Sequence, residues 1–366
     1  MDLEKKLRKF IRESIDKNVF TCISVGISFI KNGNKNKCIV NCDKFYDKKE
    51  SSCNNIFFDL ASLTKPYVTV ISILSLINKN KINLNHHLYD FFKEGINSDK
   101  KSITIEHLLS HTSGFPAYRD YFHNLVKEKK EQRKNLLLNL LLDEPLEAQP
   151  GCKVIYSDLG FMLLGLIIEK VSGIGLDEYF KKAIMEPIGL EEHLFYNPIG
   201  SKKYSYEQFA PVENCKWRGK LLQGEVSDEN CWALGGVAGH AGLYGDIYGA
   251  LALTELIMDI WLGKKDHPSI ARSDLVYFLD KRSGIKGDTW ALGFDRPNRI
   301  GASCGKYLSK DSVGHLGFTG TSFWIDPVRE LVIVILSNRV HPSRDNELIK
   351  EFRPVIHDRI VEWLGL

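Results

Sequence analysis

Strand-forming sequence is concentrated at the two ends of this chain, with mostly helical sequence between, and that arrangement constrains the fold more than any other feature. Residues 22–30 (CISVGISFI) are rich in β-branched side chains. The polar turn Lys31-Asn32-Gly33-Asn34 follows, then Cys38-Ile39-Val40, which together predict a β-hairpin. Near the other end, residues 321–325 and 331–336 predict two more strands, joined by a turn carrying Asp326-Pro327. A closing helix is expected from about Asn346, with Ile349, Phe352, Ile356, Ile360 and Leu364 on one face. Between them, residues 105–109, 133–142, 161–171, 176–184 and 251–262 predict helices. Residues 197–245 read as loop, with glycines at 235, 236, 239, 242 and 245. Strands need partners, so this order predicts an α+β fold in which both termini build one antiparallel sheet flanked by helices, with a mainly helical domain inserted. The expected division is residues 1–75 with 290–366 for the sheet domain and 76–289 for the helical one.

A chain of 366 residues, 43% hydrophobic and 26% charged, has ample material for such a core. The balance of 49 Lys plus Arg against 46 Asp plus Glu leaves +3, which gives no reason to expect a nucleic-acid partner. The densest basic cluster (Lys127, Lys129, Lys130, Arg133, Lys134) reads as a solvated helix face. The first helix is polar, with a stripe of Leu3, Leu7, Phe10, Ile11 and Ile15, and lacks the continuous apolar core of a secretory signal. The apolar runs at 67–77 and 161–168 fall short of the ~18 residues a spanning helix needs and read as buried core. A cytoplasmic chain without a membrane partner is therefore expected. Eight cysteines (22, 38, 42, 53, 152, 215, 231, 304) contain no C-x-x-C pair, so reduced thiols are expected rather than a disulfide framework or a zinc site.

Ser62-Leu63-Thr64-Lys65 forms an S-x-x-K motif, whose i, i+3 spacing on a helix puts hydroxyl and amine on one face. A serine is a poor nucleophile until a base takes its proton, and a lysine serves as that base only if its pKa is lowered. The same spacing recurs at Ser14, Ser28, Ser98, Ser283 and Ser303. Only Ser62 lies between a hydrophobic strand-like run (Ile56 to Leu60) and a long apolar helix. Pro66 suits the first helical turn, so the hydroxyl is expected at that helix's positive end. Tyr156-Ser157-Asp158 opens another predicted helix, and a tyrosine beside a lysine can lose or relay a proton. Gly314-His315-Leu316-Gly317-Phe318-Thr319-Gly320 reads as a glycine-rich turn before a strand, able to turn main-chain N–H groups toward a developing oxyanion.

In this order the three elements resemble the serine β-lactamase and penicillin-binding-protein superfamily, most nearly its class C β-lactamase-related branch of esterases and D-aminopeptidase-like enzymes. Leu108-Leu109-Ser110-His111-Thr112-Ser113-Gly114 and the segment from Ala233 to Gly242 resemble further signatures of the group. The resemblance spans about Cys22 to Trp363 and implies a β-lactamase/transpeptidase-like fold with its site in the seam between the domains. It implies Ser62 as acyl-accepting nucleophile, Lys65 and Tyr156 sharing the base and acid roles, and the N–H groups of Ser62 and Phe318 as oxyanion hole beside Gly317. His315 and Asp158 would line the substrate side, and no metal or organic cofactor would be required.

Two departures bear on the substrate. His315 stands where true β-lactamases carry lysine, and a neutral histidine holds a β-lactam carboxylate weakly. Arg339 or Arg344 could restore the charge. Asp158 replaces the more usual asparagine, which should disfavour anions or favour an amine. His111 and His240 read as structural rather than metal-binding, and residues 118–147 as variable lid. The expected activity is a serine hydrolase acting on an ester or amide of a small-molecule or peptide substrate. The alternatives are a true β-lactamase or a non-catalytic peptide-binding or scaffold member.

Overall fold

The computed structural model describes residues 3–43, 56–93, 98–285, 288–298 and 301–366. After helix α1 (Leu3–Asp16), strands β1 (Cys22–Lys31) and β2 (Asn34–Asp43) form the expected hairpin. Its two-residue turn, Asn32-Gly33, has positive φ at both positions, the geometry that matches strand twist. Helix α2 (Ile71–Asn78) continues the segment that begins at Ser62, and helices α3 (Asp158–Ser172) and α4 (Ile247–Trp261) belong to the middle of the chain. Strands β3 (Val313–Leu316), β4 (Ser322–Asp326) and β5 (Leu331–Ser337) precede the closing helix α5 (Ile349–Leu364). The resulting antiparallel sheet has the order β2-β1-β5-β4-β3, so β1 from one terminus pairs with β5 from the other.

Alternation along the strands makes two cores. Ile23, Val25 and Ile27 of β1, with Ile333 and Ile335 of β5, face the apolar stripes of α1 and α5. Val332, Val334 and Leu336 face the other way, into a larger core shared with α2, α3 and α4. On that face β1 presents Ser24, Gly26 and Ser28; a Cβ at Gly26 would lie 3.1 Å from Ile247, so small residues here let α4 pack closely on the sheet.

Several local expectations need correction. The predicted helix 176–184 is α-helical only through Leu176–Phe180 and then widens into a π-helical turn, Lys181–Met185. The segment read as loop contains a hairpin (Pro211–Cys215, Lys220–Gln223), a short helix (Glu229–Ala233) and a strand, Leu243–Gly245. That strand is central to a small sheet with Phe58–Asp59 and Leu194–Tyr196, too short to show periodicity in the sequence. The closing helix starts at Ile349; Asn346 instead bonds the carbonyls of Asn18 and Val19. His315 lies within β3, so the glycine-rich turn is shorter than expected, spanning 317–321. Cys53 lies outside the described residues.

Candidate active site

Ser62 sits in a tight 3-10 turn, Ala61–Leu63, that enters the helix through a π-helical stretch, Lys65–Val70, rather than as the first turn of a regular α-helix. Ala61 just before it has φ +47°, a conformation strained for a residue with a side chain. Asp59 holds this bend. One carboxylate oxygen accepts the Ala61 N–H (2.9 Å) and the other the Ser227 N–H (2.7 Å). Burial raises the Asp59 pKa to about 6, against the pull of those two bonds.

The buried Lys65 ammonium donates to Ser62 Oγ at 2.9 Å and to the His240 carbonyl at 3.1 Å. It also forms an ion pair with Asp158 at 2.7 Å and lies 5.0 Å from the centre of the Tyr156 ring. Asp158 is the first residue of α3, with Ser157 capping the helix through the Gly160 N–H. His111 braces this entry: its Nδ1 accepts the Ser157 N–H, its carbonyl accepts the Ile155 N–H, and its ring packs 4.6 Å from that of Tyr156.

The third element is stitched to the first by side chains. Thr319 Oγ1 donates to the Asp59 carbonyl (2.7 Å) and Thr321 Oγ1 to the Leu60 carbonyl (3.1 Å). A Cβ on Gly317 would meet the Leu60 carbonyl at 2.8 Å and collide with Thr321, so only glycine permits this approach. Tyr156 and His315 rings lie 6.0 Å apart, with Trp290 beside both. Neither Ser62 N–H nor Phe318 N–H donates to a protein acceptor among the described residues. Both residues line a cavity of about 850 Å³, together with Tyr156, Asp158, His315 and Gly317.

The beta-lactamase family profile matches residues 54–353 of this chain. The chain belongs to the beta-lactamase family. It is 35% identical over 309 residues to a Salmonella heidelberg (strain SL476) protein named "Putative D-alanyl-D-alanine carboxypeptidase", covering 78% of this chain and 70% of the relative. The octameric penicillin-binding protein homologue from Pyrococcus abyssi superposes with TM-score 0.71 at 20% identity, over 100% of this chain and 78% of that one. EstCE1, a hydrolase with promiscuous acyltransferase activity, superposes with TM-score 0.70 at 20% identity, over 97% and 98%. The α+β fold is thus that of this family, and the chain is a beta-lactamase-family serine hydrolase.

Within this family member, the electrostatics correct one expectation. Burial alone would favour a neutral Lys65 amine, but the charges and hydrogen bonds of Asp158 and Tyr156 outweigh it, so the Lys65 pKa is raised, not lowered. Burial raises the Tyr156 phenol as well, against the opposing pull of Lys65 and a hydrogen bond from Ser62. His315 is pushed down to about 3, by burial first and then by the Lys65 charge, so it is neutral at pH 7. Its Nδ1 donates to the Leu316 carbonyl (2.9 Å), which leaves Nε2 as a buried acceptor without a partner among the described residues.

Arg344 lines the cavity but is neutralised by Glu213 and Glu229, each at 2.7 Å. Arg339 Nε is committed to the Phe318 carbonyl, also at 2.7 Å. His240 pairs with Asp228 at 2.8 Å, and both line the cavity, as do Tyr118, Asp120 and Phe122 from the expected lid. Among the described residues no cluster of three metal-ligating side chains occurs, and no single helix is long and apolar enough to cross a membrane. Sequence reasoning missed Asp59, Asp228, Trp290 and Arg353. For Arg353 a signal existed: with Ile349, Phe352 and Ile356 it falls on the apolar face of the closing helix.

Proposed function

We propose that the chain hydrolyses esters or amides through an acyl-enzyme on Ser62. The observation that carries this reading is the 2.9 Å bond from buried Lys65 to Ser62 at the wall of a cavity lined also by Tyr156 and by Phe318, whose N–H, like that of Ser62, has no protein acceptor among the described residues. With Lys65 held as an ammonium, it cannot be the resting base. Its charge instead favours negative charge on the serine and tyrosine oxygens. A neutral Tyr156 serves as a concerted relay: as Oγ bonds to the carbonyl carbon, the phenol hands its own proton to the oxygen or nitrogen of the leaving group in the same step in which it takes the Ser62 proton, and the bond to that protonated group then breaks. The Ser62 and Phe318 N–H groups face the oxyanion that this addition forms. Water then repeats the sequence in reverse and frees Ser62. A small carboxylic ester or a peptide containing D-amino acids fits better than a β-lactam, because no cation stands at position 315.

Intact mass spectrometry after exposure to a serine-reactive fluorophosphonate tests this. A single adduct is expected on the native chain and none on Ser62→Ala; an adduct persisting in the variant would assign the nucleophile elsewhere.

A further inference from the structure

Asp228 is a carboxylate of the cavity wall that neither the proton relay nor the oxyanion amides use. It caps the short helix Glu229–Ala233, where its Oδ1 accepts the Cys231 N–H (2.7 Å) and the Nε2–H of buried His240 (2.8 Å). Both bonds fall on the same oxygen. Oδ2 accepts no bond among the described residues, and the side chain, 20% exposed, reaches the cavity. The neighbouring backbone is tied to the catalytic residues. Ser227 gives its N–H to Asp59, which also holds the Ala61 N–H beside Ser62. The His240 carbonyl accepts from Lys65, so a single ammonium joins residue 240 to Ser62 Oγ. Gly239 presses so closely on α3 that a Cβ there would lie 2.2 Å from the Phe161 carbonyl, and the Tyr196 hydroxyl donates to the Ala238 carbonyl (2.8 Å). Of the other cavity carboxylates, Asp158 is matched by Lys65 and Glu229 by Arg344. A carboxylate oxygen can only accept, so the partner that Oδ2 takes from the cavity is a hydrogen-bond donor.

We propose that Asp228 Oδ2 anchors the water that releases the acyl group, with His240 as the positioning residue that aims the carboxylate. In the acyl-enzyme this water donates one hydrogen to Oδ2 and turns a lone pair toward the acyl carbon. Its oxygen bonds to that carbon as its other proton passes to the Tyr156 oxygen and the phenol proton passes to Ser62 Oγ. The bond from Oγ to the acyl carbon then breaks, and the hydrogen held by Oδ2 stays with the product acid. Acylation needs no such anchor, because its nucleophile is already fixed to the chain. This inference rests on the acyl-enzyme reading above and assigns the residues that serve its second half.

The ester p-nitrophenyl acetate separates the two halves. Release of p-nitrophenolate follows acylation, and loss of the acetyl adduct from Ser62, read by quenched-flow mass spectrometry, follows deacylation. Asn caps a helix as well as Asp and keeps an oxygen for Cys231 and His240, so Asp228→Asn exchanges only the outer acceptor for a donor. In this variant the adduct is expected to decay about tenfold or more slowly, the scale of one hydrogen bond to a charged group, with the loss falling on kcat rather than kcat/KM. His240→Gln, whose amide can still donate to Oδ1, should decay faster than His240→Leu, which has no donor. Fluorophosphonate labelling of Ser62 verifies that each variant retains an assembled site. If Asp228→Asn is unlabelled, the two His240 variants carry the comparison, and equal decay in both would overturn the proposal. Decay at the native rate in labelled Asp228→Asn would overturn it too. So would an equal fall in kcat and kcat/KM, which would assign Oδ2 to a donor on the substrate; each of these results leaves the acyl-enzyme reading standing. A native chain that forms neither an acetyl nor a fluorophosphonate adduct on Ser62 would overturn both.

Discussion

A lysine that removes a proton from serine must itself be neutral, and an ordinary lysine is charged at pH 7. In this site the Asp158 carboxylate, 2.7 Å from Lys65, reinforces the charge rather than relieving it. The substitution of acid for amide at position 158 therefore acts on the lysine before it acts on any substrate. Asp158→Asn removes the largest upward influence on Lys65 and leaves burial, which acts downward. The alkaline limb of the kcat/KM profile should then move to lower pH, and activity near neutrality should drop about 10²-fold, the lower end of what a positioned acid–base group contributes. A pH–rate series on both proteins checks this; a variant more active than the native chain at pH 7 would restore Lys65 to the role of free base. Ser62, Lys65 and Tyr156 could be proposed from the sequence because each belongs to a local pattern of three or four residues. The charge state of Lys65 could not, since its partner lies 93 positions away and only closure of the fold brings them together.

At the scale of elements, the bend at Ser62 is held by Asp59 at one end and by the Thr319 and Thr321 hydroxyls at the other. Asp59 satisfies two N–H groups only as a carboxylate; once protonated, one oxygen becomes a donor facing a donor. Its pKa of about 6 places that change within the working range. Turnover should accordingly fall as pH drops through about 6, while Asp59→Asn, which resembles the protonated form, should run at a reduced rate with that limb gone. An unchanged limb in the variant would move the titration to Asp295, also raised to about 6 by burial and also lining the cavity. The hairpin and the closing helix were readable because their apolar periods run over ten or more residues. The run Ile56 to Leu60 was legible as strand-like and contains the strand Phe58–Asp59, but its three-residue partner Leu243–Gly245 was hidden in a segment read as loop. Arg353 was passed over for a related reason. A single charged residue on an apolar stripe reads as noise until the turn it binds is known.

For the whole molecule, the buried titrating groups set how stability responds to acid. His111, His315 and His357 are fully buried, and burial lowers each pKa: well below the usual value for His111, to about 3 for His315 and to about 4 for His357. Depressed imidazoles give stability that is present above pH 6.5 and lost as pH falls toward their folded values. Asp59 and Asp295 act oppositely: with folded pKa values of about 6, they favour the folded state below pH 3.8 and lose that contribution as pH rises through 6. Near pH 5, unfolding lets three imidazoles take up protons and two carboxyls release them, a net uptake of about one proton. That corresponds to a loss of about 1.4 kcal/mol per pH unit on acidification. The partly buried His107, His267 and His341, also lowered by burial, push the same way. Urea unfolding followed between pH 6.5 and 4.5 should show the midpoint falling with pH, and His357→Gln should flatten the slope by about one proton. A midpoint that rises on acidification would mean that the carboxyls outweigh the histidines, and that the polar groups packed behind the catalytic seam are not kept neutral by the fold.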